Sequence, residues 1–137
     1  MSKSVPKVTV GAMLIGIAIV HTFVGVLIGL GFDPSIPSTG APAFGAMLAD
    51  GVIDSVGADP VRGAVTWFLL WGFVLALVGL VSHQSERAGL APSRSFAWSF
   101  GAMCVLGVVL MPASGFWLGF GPTLIAFRRA QPSVLGA

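Results

Sequence analysis

The sequence predicts an all-α membrane protein, an antiparallel bundle of four transmembrane helices with a short helix in an external loop. Three observations predict it. The first is scarcity of charge. In 137 residues there are seven Lys and Arg and five Asp and Glu, 9% of the chain, against about 25% in an average soluble domain. So few charges cannot coat a soluble globule of this size, and 55% apolar residues exclude a disordered chain, which needs low hydrophobicity and high charge. The second is that these charges divide the chain into three apolar blocks, Val8–Phe32, Gly63–Ser82 and Ser95–Phe127, each long enough for a crossing of about 20 residues. The third is the interruption Met111-Pro112-Ala113-Ser114-Gly115 inside the last block.

The first block follows Lys3 and Lys7, and Ala41-Pro42-Ala43 faintly resembles a cleavage site. A signal-peptide core runs to about 15 residues. The longer Val8–Phe32 block reads as an uncleaved transmembrane helix that ends among Gly29, Gly31 and Asp33-Pro34. In the loop after it, Phe44, Leu48, Val52 and Val56 recur every four residues, with Asp50 and Asp54 on the other side. That spacing predicts a short amphipathic helix, either sealing the outer ends of the bundle or forming a ligand lid.

Asp59-Pro60 supplies an N-cap acid followed by Pro at the first helical position, and so starts the second crossing. This helix runs past the membrane through Glu86 and Arg87 to Gly89, with Pro92 beyond. Its last turn, His83-Gln84-Ser85-Glu86-Arg87, reads as a solvated helix end, with Arg87 and Arg94 available to phosphate headgroups. Ser93 is a plausible cap for the third helix. As one helix, Ser95–Phe127 would be about 50 Å long, well beyond a hydrocarbon core of about 30 Å. Pro112 breaks it and Ser114 can cap the fourth helix. The whole chain is thus a single domain with crossings at about 8–32, 61–83, 95–111 and 114–128.

Four crossings put Lys3, Lys7, Arg87, Arg94, Arg128 and Arg129 on one face, which the distribution of basic residues makes cytoplasmic, with both termini. The opposite loop holds Asp33, Asp50, Asp54 and Asp59 with one base, Arg62. The basic residues make no stripe, so nucleic acid is not an expected partner. The lone Cys104 can form no disulfide within the chain.

Apart from that thiol, His21 is the only titratable side chain well inside a crossing, and intramembrane ionisable residues are functional candidates by default. Its face continues through Gly25 and Gly29, a spacing that permits close helix approach and turns His21 into the bundle. Depth places Thr66 and Trp67 at its level. Either a ring nitrogen donates to Thr66 or a backbone carbonyl in a purely structural role, or His21, Thr66, Trp67 and Trp71 bind a ligand. Trp71 either lines that pocket or only packs, whereas Trp98 and Trp117, near helix ends, read as interface anchors. A catalytic His21 would need an orienting partner, and no Asp or Glu lies inside any crossing. His83 lies about 20 Å from His21 in depth, too far to share an iron. The interior otherwise offers only Cys104, so neither metal nor cofactor is expected. Ala97-xxx-Gly101 and Gly115-xxx-Gly119 add two more small-residue faces, suited to packing inside the bundle or between copies. No Walker loop, GxSxG elbow or HExxH motif occurs.

These pieces resemble an uncharacterised bacterial family of small four-helix integral membrane proteins. The residues that carry the resemblance are His21 with Gly25, Asp50-Gly51, Asp59-Pro60, Trp67, His83-x-x-Glu86-Arg87-x-Gly89-x-x-Pro92 and Met111-Pro112-x-Ser114-Gly115-Phe116-Trp117-Leu118. The resemblance implies the fold and a bacterial inner membrane, and no activity. The residues themselves read as a non-enzymatic bundle that binds a lipophilic small molecule or lipid between helices. One alternative is an accessory or homo-oligomeric subunit packing on partner membrane helices. Another is a small membrane isomerase or oxidoreductase of lipids with His21 as base.

Overall fold

A computed structural model describes residues 8–32, 43–51, 53–54, 57, 59–112 and 114–130. Lys3, Lys7, Asp33, Val52 and Val56, used in the sequence reading, lie outside them. Among the described residues all repeating structure is helical. The elements are α1 (Val10–Gly29), α2 (Ala43–Asp50), α3 (Pro60–Arg87), α4 (Arg94–Leu110), a 3₁₀ helix (Gly115–Gly119) and α5 (Phe120–Arg129). Helices α1 and α3 are long and apolar enough to cross a membrane, and α4 is a shorter apolar helix.

The helix ends follow local chemistry. Thr9 Oγ1 accepts from the Ala12 amide and so caps α1. The other end of α1 closes as a Schellman motif. Phe32 N–H donates to Leu27 O, Gly31 N–H to Ile28 O, and Gly31 takes φ +84°. Asp59 Oδ1 accepts from the Val61 and Arg62 amides, and Pro60 takes the first position of α3, where no amide is needed. Helix α3 ends with the same device, as Leu90 N–H donates to Ser85 O around Gly89 at φ +85°. Ser93 Oγ accepts from Phe96 N–H to start α4.

Two elements differ from the sequence reading. Helix α2 ends at Asp50, followed by Gly51 at φ +84°. Its inward face is Phe44, which lies against Gly29, and Met47, while Leu48 is 86% exposed. Two turns are too few for an every-fourth-residue stripe to set the buried face. The segment after Pro112 also starts as a 3₁₀ helix rather than an α-helix. Ser114 makes no side-chain cap there, and its Oγ is buried without a hydrogen-bond partner among the described residues. Pro122 accounts for the tighter winding, because in an α-helix its ring would clash with the Leu118 carbonyl.

The chain divides into two compact units, residues 1–17 with 75–137, and residues 18–74. The core of the first is Val10, Leu14, Ala97 and Ala126, flanked by Leu75, Val78, Phe96, Phe100, Ile125 and Phe127. Within it α4 and the 3₁₀–α5 segment run antiparallel. Gly101 faces Thr123, Cys104 lies on Gly119, and Gly107 lies under the Phe116 ring. Trp98 meets Phe127 edge-on at 5.0 Å. The turn between them is held by Trp117 Nε1, which donates to Pro112 O at 2.8 Å. In the second unit, Ala18, Met47 and Val65 are buried, and Gly72 and Gly25 let α1 and α3 close on Thr22 and Phe68.

Gly107→Ala should lower the melting temperature in detergent, by the equivalent of about 1–3 kcal/mol, because the new methyl must displace the Phe116 ring. Gly16→Ala should raise it, by up to about 1 kcal/mol, since its Cβ meets nothing within 4 Å and Ala is the better helix former. Equal shifts in the two variants would refute this assignment of packed and open positions.

Candidate functional site

Two polar centres stand out in a chain with so little polarity. The first is His21, on α1 in the second unit. Its ring stacks on Phe68 with centroids 3.8 Å apart and planes 1° from parallel. Its Nε2 is buried and has no hydrogen-bond partner among the described residues. Of the two partners expected for the ring, Thr66 is not bonded, whereas the backbone of Phe68 is hydrogen-bonded to it. Thr66 Oγ1 donates instead to Arg62 O, one turn back on its own helix, at 2.9 Å. Trp67 is 58% and Trp71 47% exposed, so both stand largely outside the packing that surrounds His21. Phe68, which the sequence reading passed over, is the residue of α3 that meets the histidine. Its signal was available: Val65, Phe68 and Gly72 keep the three-and-four spacing of a helix seam.

The second centre gathers Thr9, Gly11, His83, Glu86 and Arg129 in the first unit. From its sequence the last turn of α3 is expected to be a solvated end. The structure corrects this, because Glu86 is only 5% exposed. Its Oε2 accepts from the Gly11 amide at 3.0 Å. That amide lies in the first turn of α1, where no carbonyl of the same helix can reach it, and the positive end of the helix dipole favours a carboxylate there. The approach requires glycine, because a Cβ at Gly11 would overlap the backbone of His83 and the carbonyl of Gly79. Arg129 Nη1 lies 3.6 Å from Glu86 Oε1 and donates to Val8 O at 2.8 Å. Glu86 Oε1 has no hydrogen-bond partner among the described residues.

His83 Nδ1 lies 2.6 Å from Thr9 Oγ1. The hydroxyl has one hydrogen to donate and two lone pairs, one of them used by Ala12, so the histidine tautomer decides which of the two groups donates. A hydroxyl on an imidazole has the form of a nucleophile and its base. Thr9 is however 2% exposed, so no substrate carbonyl can approach it. The pair acts as part of a cap. Thr9, Glu86 and Arg129 went unrecognised because their partners are remote in sequence. The signal that could have found Glu86 is its register, since Gly72, Leu75, Gly79, His83 and Glu86 continue one seam. Among the described residues, no three His, Cys, Asp or Glu side chains come together as metal ligands.

Beside Glu86 lies a half-open cavity of about 270 Å³. Its walls combine apolar Val81, Leu90 and Phe96 with the hydroxyl-bearing Ser82, Ser85 and Ser93.

A family model described as a family of unknown function, DUF6463, matches residues 5–133 of the chain. The chain belongs to that family. No curated protein and no solved structure matches it.

Replacing Glu86 with Ala should destabilise the fold by about 1–3 kcal/mol, by leaving the Gly11 amide buried without its acceptor. Arg129→Ala should cost under about 1 kcal/mol, because the guanidinium side chain is 35% exposed and its charge is screened. Melting curves of the two variants in one detergent check the order, and an equal or larger loss in Arg129→Ala would contradict it.

Proposed function

We propose that this DUF6463 member is a non-enzymatic integral membrane protein of the bacterial inner membrane, crossing it four times with both ends cytoplasmic, and that it binds a lipid or other lipophilic molecule at the His21 face of α1. The observation that carries the reading is an inverted distribution of polarity. Phe23, Trp67, Trp71, Phe73, Leu77 and Val109 are exposed, whereas Glu86, Thr9 and Thr123 are buried. In water such a surface is unfavourable by roughly 25 cal/mol per Å² of apolar area, whereas a hydrocarbon surround imposes no such cost. Helices suit that surround because every backbone group is satisfied within the segment.

His21 supports the ligand part of the reading. A buried ring nitrogen without a partner costs about 1–3 kcal/mol, and a hydroxyl or carbonyl from a bound molecule would recover it. Trp67 and Trp71, half exposed on α3, would border that molecule as part of a lipid-facing surface rather than enclose it. Thr66, turned to its own helix, contributes no free donor.

An accessory or oligomeric subunit has less support. Gly25, Gly29, Gly101 and Gly119 each face a side chain of the chain itself, and Ala97 is buried. Ala12 and Gly16, exposed one turn apart on α1, and Gly115, which is exposed with nothing within 4 Å of its Cβ position, remain for a partner helix. Enzymatic use of His21 is not favoured either, since its ring stacks on Phe68 and bonds the Phe68 backbone, and among the described residues no acid orients it.

The protein should stay in the pellet on alkaline carbonate extraction of membranes. A C-terminal tag should be cleaved only when the cytoplasmic face is open to protease. Release by carbonate, or a tag on the far side, would end the four-crossing reading. In lipid extracts of purified protein, His21→Phe, which keeps the ring stack and removes both nitrogens, should retain about fivefold less of any bound lipophilic molecule. Undiminished retention would remove His21 from the site.

A further inference from the structure

Charge is divided unequally between the two units. Residues 1–17 with 75–137 carry six of the seven basic residues and a single acid, Glu86. That acid is 5% exposed and already holds the Gly11 amide, so no acidic side chain of this unit answers its surface bases. Arg129 is committed to Glu86 and to Val8 O. Arg94 and Arg128 are exposed, and neither has a hydrogen bond or ion pair among the described residues. Their distance in sequence hides that they belong together. Gly101 faces Thr123 and Trp98 meets Phe127, a register that brings the first turn of α4 beside the last turn of α5. Arg94 precedes Trp98 by one turn on the same face of α4, and Arg128 directly follows Phe127. Trp98 itself is 68% exposed. Two guanidiniums without partners thus flank an aromatic pair whose indole is open. A guanidinium suits phosphate, because its donors form a rigid fork. An open indole suits the glycerol and first methylenes of a lipid, being apolar with one polar edge. The arginines call for an anion and the ring for an amphiphile, and an anionic phospholipid is both. A zwitterionic lipid matches less well, because its own ammonium offsets its phosphate.

We propose that the Arg94–Trp98 face of α4, together with Arg128 of α5, binds the headgroup of an anionic phospholipid, its phosphate met by the two guanidiniums and its glycerol by Trp98. The proposal rests on the membrane reading above, which puts this end of the unit in the cytoplasmic headgroup layer, and is independent of the His21 face. It also changes the pairing of the bases: sequence proximity joins Arg94 to Arg87, whereas the antiparallel register joins it to Arg128.

The test is native mass spectrometry of the full chain, purified in detergent and offered phosphatidylglycerol and phosphatidylcholine of identical acyl chains. The wild type should retain phosphatidylglycerol about tenfold over phosphatidylcholine. Arg94→Gln and Arg128→Gln should each cut that ratio about threefold, and the double variant should bring it to within about twofold. Their melting temperatures should not change, because neither side chain has a partner to lose. Arg87→Gln removes the same charge from an exposed arginine outside the pair and should cut the ratio by less than about 1.5-fold. Equal retention of the two lipids by folded wild type overturns the proposal. So does a loss in Arg87→Gln as large as in Arg94→Gln, which would make the preference a matter of total charge. Soluble glycerol phosphate that competes at the lipid's own concentration overturns the lipid source. His21→Phe should leave the ratio unchanged, so failure of this face and failure of the His21 face are read separately. A carbonate-resistant protein without the preference defeats this site alone, whereas carbonate release defeats the membrane reading and this site with it.

Discussion

The bond from the Gly11 amide to Glu86 Oε2 joins the start of one long helix to the end of another, and several other features depend on it. Glu86 can be buried because a helix N-terminus offers it an amide and a favourable dipole. The helix can start there because Thr9 and Glu86 between them accept from Ala12 and Gly11, two of the four amides that have no partner within α1. Gly11 must be glycine for the backbones to come this close, and Arg129 reaches both Glu86 and Val8 O at the same end. Removing the carboxylate would therefore disturb the start of α1, the end of α3 and the last basic residue of α5 together.

A second regularity concerns where the small residues stand. On α1, Gly11, Ile15, Ala18, Thr22, Gly25 and Gly29 alternate steps of four and three, the spacing of a packed seam. Gly11 and Ile15 meet α3 in the first unit, and Thr22 and Gly25 meet it in the second. On α3 the corresponding positions include Phe68, Gly72 and Gly79. When large apolar residues cover both the inner and the outer faces, hydrophobicity carries no information on which face is inner. Small residues do, because only they admit a neighbouring backbone.

That explains which parts of the structure could be read from the sequence. Helix ends were legible at Asp59-Pro60, Ser93 and Gly89, since each is decided by a residue and its immediate neighbours. The helical class came from apolar length alone. The stripe of Trp67 and Trp71 was legible as a stripe but not in its direction, and it turned out to be half exposed while Phe68 meets His21. Glu86 was misread because its neighbours His83 and Arg87 look like a solvated helix end, whereas the group that holds it is 75 residues away. The 3₁₀ stretch was missed because Pro112, which ends α4, is the conspicuous break, whereas the winding of the next segment is set by Pro122.

The 3₁₀ stretch has a further consequence for reach. Its residues advance about 2.0 Å each instead of 1.5 Å, so the five residues Gly115–Gly119 extend about 2.5 Å further than they would as α-helix. This falls in the shortest of the apolar segments; were that segment to cross a bilayer as proposed, every ångström of mismatch with the hydrocarbon would cost a fraction of a kcal/mol. On the membrane reading proposed above, a proline on the buried side of α5 would let a short segment fit a thicker bilayer without adding a residue.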